Sequence, residues 1–404
     1  MADDLPKPGS EDDNIFFSLA RFLERPGTQS RRAFLKGSGK IAAAGGLAWL
    51  LSPFNFTRTA EAREPTQKTL KQMVEEDITR LEAQRSKTPF EWTYLADLYC
   101  ERHRWEADET KRREYRATAV DYTDETFKLE PGHPYGYAVS GRIEILRGNY
   151  TEEKKQAVNN LNHATEHLGC NILSIKRRKR RLSERECELE LVQGYTQFLL
   201  GDIELRLAGK EDNQAKKEEH VKKSIDFFKQ ACDNVEANSA LIRVYTDQYI
   251  KFKTDNNSRE TRKLEREIKK LYSYSDKLLK RDTKYRLNRF ALAKAKSEFT
   301  LNYEMGRFYN ITEDFKSAQK CLDIAFKLDP DTAEVPWELA LAYEGLGDLD
   351  KKKNNLPAAR AHYTEAKTTY EAAKKTLEAS GFKNALLAKK LDEKITEMEA
   401  KIKE

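Results

Sequence analysis

Three short stretches of this 404-residue chain carry side chains whose spacing could do chemistry. The first is His163-Ala164-Thr165-Glu166-His167. On a helix its two imidazoles fall about one turn apart on one face, where they could hold a zinc ion while Glu166 acts as base toward the metal-bound water. Three fixed identities in five residues recur by chance, however, and Ala164 has the size and spacing of a helix-packing residue. His103, His133, His220 and His362 are isolated and offer no third ligand by spacing. The bland reading, exposed histidines on a helix, therefore stands ahead of a zinc hydrolase built on His163, Glu166 and His167. The second stretch, Gly37-Ser38-Gly39-Lys40, has the ending of a phosphate-cradling loop. Position 34 is Phe where such a loop needs Gly, and Ile41 replaces the Ser/Thr that would reach a metal, so it is set aside. The third is the basic run Lys176-Arg177-Arg178-Lys179-Arg180-Arg181. It reads either as a solvated helix segment or as an electrostatic patch for an acidic partner or anionic lipid, an acidic protein surface foremost. No aromatic residues are interleaved to stack bases, and nucleic acid is not expected as a partner.

Composition narrows the classes further. Hydrophobic residues make up 39% and charged residues 35%, a polar balance for this length. A compact globule would bury more, whereas a two-layer array of repeats stays thin however long it grows. The net charge of +6 is small beside 73 basic and 67 acidic side chains and argues against bulk polyanion binding. Five cysteines, Cys100, Cys170, Cys187, Cys232 and Cys321, are far apart and never paired as C-x-x-C, so no disulfide framework, haem attachment or zinc knuckle can be read from them. No cofactor motif appears.

Residues 1–62 read as a targeting segment. Ser30-Arg31-Arg32-Ala33-Phe34-Leu35-Lys36 resembles the twin-arginine export motif, with Arg31, Arg32, Phe34 and Leu35 at its defining positions. A moderately apolar run from Ile41 to Phe54 follows, softened by Gly45 and Gly46. Ala60-Glu61-Ala62 then supplies the small residues, Ala60 and Ala62, of a signal-peptidase site. The apolar run is shorter than the roughly 20 residues that span a bilayer, so no integral span is expected in the mature chain. Ahead of the arginines, Asn14 to Glu24 would form a short amphipathic helix. The expected destination is the periplasm or an equivalent compartment, with an uncleaved anchor as the alternative.

From Phe299 to Pro330 the sequence reads as two antiparallel helices joined at residues 310–313. Met305-Gly306-x-x-Tyr309 lies on the first; Ala318-x-x-x-Leu322-x-x-Ala325, closed by Pro330, lies on the second. This spacing resembles the tetratricopeptide repeat. Gly306 and Ala318 are small where the helices cross, and Met305, Tyr309 and Leu322 fill the groove between them. Matching positions recur at Trp92, Leu95, Ala96 and Tyr99; at Ala157, Leu161 and Ala164; at Ser224, Phe228 and Ala231; and at Ala340 and Tyr343 followed by Ala359, Tyr363 and Ala366. The fold class expected is all-α: a solenoid of about six hairpins over residues 89–380, a polar capping helix within 63–88, and a charged capping helix over 381–404.

The resemblance implies binding rather than catalysis, with partner proteins taken along a concave groove lined by the first helix of each pair. Tyr137, Tyr195, Tyr245, Asn302 and Tyr343 are the residues expected near it. Twin-arginine export carries folded chains, which adds the expectation of a scaffold or accessory subunit in an exported, redox multiprotein complex. A periplasmic chaperone binding client peptides is the alternative.

Overall fold

The computed structural model describes residues 68–147, 152–175, 184–231, 233–281, 291–379 and 385–403. The twin-arginine motif, the cleavage site and the basic run 176–181 lie outside the described residues. Fourteen helices and no strands occur among those described. A lone helix, α1 (Leu70–Glu82), precedes six hairpins: α2 (Pro89–Arg104) with α3 (Glu109–Leu129), α4 (Pro134–Arg147) with α5 (Glu152–Ile175), and α6 (Glu184–Lys210) with α7 (Gln214–Gln230). Then come α8 (Val235–Thr254) with α9 (Ser258–Arg281), α10 (Ala291–Ile311) with α11 (Phe315–Leu328), and α12 (Glu334–Lys352) with α13 (Leu356–Ala379); α14 (Ala385–Lys403) ends the array. No described helix is long and apolar enough to cross a membrane.

Local signals set the helix ends. Thr69 and Thr88 each form a capping box, their hydroxyls accepting from the amides of Gln72 and Glu91 while those side chains accept in return. Asp108, Asn213, Asn234 and Asp314 cap α3, α7, α8 and α11 in the same sense. Three hairpin turns share one construction. Asn256, Glu313 and Asn354 take left-handed backbone angles, with φ of 54°, 64° and 59°. The next residue's amide then reaches back to Phe252 O, Tyr309 O or Asp350 O, which ends one helix in the six-to-one pattern of a Schellman turn. That same residue, Asn257, Asp314 or Asn355, caps the following helix with its side chain.

The first helices of the hairpins, α2, α4, α6, α8, α10 and α12, pack in succession to make an inner layer, and the second helices cover its outer side. Close crossing within a hairpin needs a residue without a side chain. A Cβ placed on Gly141, Gly201, Gly306 or Gly347 would meet Leu161, Phe228, Leu322 or Tyr363 at 2.4–2.8 Å. Those four partners are buried, as are Leu95, Ala96, Tyr99, Ala157, Ala164, Ala231, Met305, Ala318, Ala325 and Ala340. Trp92 packs on Tyr122, and Tyr309 on Phe308. Pro330 follows the end of α11 in the turn toward α12. The fold is an all-α, tetratricopeptide-like solenoid.

Two elements do more than the sequence suggests. Helix α1, expected to be a polar cap, buries Leu70, Val74, Ile78 and Leu81 as one stripe and packs on both α2 and α10. The array of residues 68–404 thus returns on itself, with its opening hairpin seated against the fifth. Helix α14 buries Leu387, Leu391 and Met398 and also sends two lysines inward, as described below.

Candidate functional site

In five of the six hairpins a charged residue stands immediately after the small one at the crossing: Ala96-Asp97, Gly141-Arg142, Gly201-Asp202, Gly306-Arg307 and Gly347-Asp348. One residue further along a helix turns about 100°, so a small side chain aimed at the hairpin partner sends its neighbour toward the inner layer. There the charges from successive first helices meet and form a file of ion pairs.

Between α2 and α4, Arg142 donates to both Asp97 Oδ1 and Glu101 Oε1. Tyr135 and Tyr195 donate their hydroxyls to Asp97 at 3.1 and 2.8 Å, which brings α6 into the same cluster. Lys296 of α10 reaches Glu101 Oε1 at 2.6 Å across the inner space. Burial would raise the Glu101 pKa, but Arg142 and Lys296 overrule it and hold the carboxyl well below the ordinary range. Burial likewise works against the charged forms of Arg142 and Lys296, and the acidic neighbours restore them. Glu236, at the start of α8, stands near this cluster, and its pKa is raised by burial. The network is a case in which charges removed from water stay ionised because each has its counter-charge in reach.

The file continues. Asp202 accepts from Arg206 at 2.8 Å and lies 3.9 Å from Arg243 of α8. Arg307 pairs with Glu304 at 3.0 Å and approaches Glu338 of α12 at 3.8 Å, while Asn310 donates to Glu338 Oε2. At the far end Lys394 and Lys401 of α14 enclose Glu344 at 2.9 and 3.0 Å, and Lys401 also reaches Asp348 at 3.2 Å. Tyr370 and Tyr363 complete this end by donating to Glu344 and Asp348. Against the burial that would raise it, the two lysines lower the Glu344 pKa.

A seam joins the opening hairpin to the fifth and sixth. Arg104 of α2 lies 3.4 Å from Asp329, within 3.4 Å of the Thr332 hydroxyl, and over the ring of Phe299. Lys71 of α1 approaches Asp331 at 3.9 Å. Beside it, Glu334 is 6% exposed with Oε2 lacking any hydrogen-bond partner, and burial pushes its pKa up to about 7. His103 on α2 is kept neutral: burial first, then Arg116, Arg112 and Arg142, bring its pKa down to about 3.

Of the residues expected along a concave groove, Tyr195 joins the file. Tyr137 packs against Phe127 and His163. Tyr245 packs with the apolar clusters around α8. The Asn302 amide is buried and donates to the Glu298 carbonyl of its own helix. Tyr343 stacks on His362 and accepts from Gln319. In the candidate zinc motif, His163 Nδ1 faces Glu166 Oε2 at 3.4 Å with both side chains more than half exposed; the side chain of His167 lies outside the described residues. Among the described residues no three His, Cys, Asp or Glu side chains are grouped to hold a metal ion. Cys100 and Cys321 are buried thiols, and burial pushes the first up to about 12.

No family model and no curated protein matches this chain. Among solved structures it is similar to a circular tandem repeat protein with novel repeat topology and enhanced subunit contact surfaces, at 10% identity over 83% of this chain and 88% of the other, TM-score 0.24. It is also similar to yeast Tom70, at 13% identity over 81% of each chain, TM-score 0.17. The architecture rests on the hairpins themselves. What they define is an all-α array of stacked helical hairpins.

Proposed function

We propose that this protein is an exported scaffold, an accessory subunit that holds partner proteins in a multiprotein complex of the periplasm or an equivalent compartment. The observation that carries this reading is the inner file: its buried charges pair with one another and, at the last hairpin, with the capping helix α14, so the successive first helices are held in a fixed arrangement before any partner arrives. A surface ordered in advance loses little entropy on association, which suits a lasting subunit. The twin-arginine-like leader supplies the export half of the proposal, since that route accepts chains already folded. A redox enzyme is the partner class this route suggests, and it stands by analogy.

The test is purification of the tagged protein from the exported fraction under mild conditions, followed by native mass spectrometry. A stoichiometric complex with a second exported protein is expected. A solitary monomer at every concentration, or retention of the chain in the cytoplasm, overturns the proposal.

A further inference from the structure

Outer helix α9 carries a feature that the scaffold reading does not use. Its apolar side, Leu264, Ile268 and Leu279, is buried against α8 and α10. On the opposite side Arg259, Arg262, Arg266, Lys270 and Lys277 are all exposed. Their spacing of three, four, four and seven residues places them within an arc of about 80° at 100° per residue, a single straight row about 27 Å long. The other lysines of the helix are engaged: Lys263 with Glu260, Lys269 with Glu265, and Lys280 with Asp276. These pairs neutralise three of the four acids on the helix and leave Glu267. None of the five row residues has an ion-pair partner among the described residues.

We propose that this row is a docking surface for an anionic lipid bilayer, which would hold the scaffold, and whatever it carries, against a membrane face. Charge complementarity calls for an anionic surface, and the form of the row selects among such surfaces. A protein partner needs aromatic or aliphatic anchors in a pocket that loses its water; the crest of this row has none, and Tyr274 at its margin, 42% exposed, is held by its hydroxyl donating to Asp233. Single-stranded nucleic acid needs stacked aromatic rings, which are also lacking there. A straight row on a half-buried helix meets a plane along its whole length, and attraction to lipid headgroups needs no anchor.

Each basic residue held near an anionic leaflet contributes about fivefold in partitioning, and salt weakens the effect. The test is co-sedimentation of the full chain with phosphatidylcholine vesicles, with and without phosphatidylglycerol. Arg266→Gln/Lys270→Gln is compared with Lys111→Gln/Arg113→Gln, an exposed double neutralisation on α3 that changes net charge equally. All four positions are exposed, so the fold is expected to survive, and circular dichroism checks it. The α9 variant is expected to lose about 25-fold in partitioning onto the anionic vesicles, and to match the wild type on pure phosphatidylcholine. The α3 variant is expected to stay within about threefold of the wild type, because its charges lie outside the row. Equal losses for both variants overturn the proposal. So does a wild-type chain that prefers duplex DNA or polyglutamate to anionic vesicles at the same ionic strength and owes that preference to the row.

Discussion

Glu334→Gln isolates one carboxyl at the seam between the opening hairpin and the last. Glu334 is 6% exposed and its Oε2 has no hydrogen-bond partner. Burial is the main reason its pKa rises from 4.5 to about 7; its own backbone amide, Arg104 and Arg307 pull it back, and Asp329 pushes it further. The folded state therefore keeps this proton longer than the unfolded chain does. Stability from the group is fully present below the unfolded value and drains away as pH rises toward the folded one. Worked through proton linkage, the fold loses about 2–3 kcal/mol through Glu334 between pH 5 and pH 8. Glutamine keeps the shape and cannot ionise. Urea unfolding followed by circular dichroism at the two pH values should show the wild type losing that amount relative to the variant. Parallel losses in the two proteins would refute the reasoning and mean that Glu334 titrates as an ordinary surface acid.

Three further outcomes follow from the geometry. Glu101→Ala leaves Arg142 and Lys296 facing each other without their shared acid and should cost about 3–5 kcal/mol in urea unfolding, with Lys296→Met in the same background recovering part of the loss. Gly306→Val drives two methyl groups toward Leu322, whose Cγ lies 2.4 Å from a Cβ built there, and should lower stability by about 1–3 kcal/mol in thermal melts. Glu313→Gly relieves a left-handed residue in the turn between α10 and α11 and should raise stability by about 1 kcal/mol.

The hairpins were legible because their signal is local. Small-large-small spacing such as Ala318, Leu322 and Ala325 fixes which side of a helix meets its partner, and that follows from helical periodicity alone. The expected joint at 310–313 falls on the turn that Glu313 makes left-handed. The inner file was not read, although its sign was present: a charged residue directly after the small one in five hairpins. A single Gly-Arg or Gly-Asp says nothing; the meaning appears only when the crossings are aligned and the next residue is turned inward. Lys394 and Lys401 were hidden for another reason. In a helix as charged as α14, two lysines that face Glu344 look no different from those that face water. The contact between Lys296 and Glu101 belongs to tertiary closure, which periodicity within one hairpin cannot show.

That closure has a consequence for how the chain comes into being. Lys296 and Glu101 are 195 positions apart, and Arg104 and Thr332 are 228 apart. At ordinary rates of synthesis, on the order of 5–20 residues per second, about 10–40 s separate the appearance of Glu101 from that of its lysine. During that interval the opening hairpin can assemble with its neighbour and pair Glu101 with Arg142, yet the place where it will finally rest has not been made.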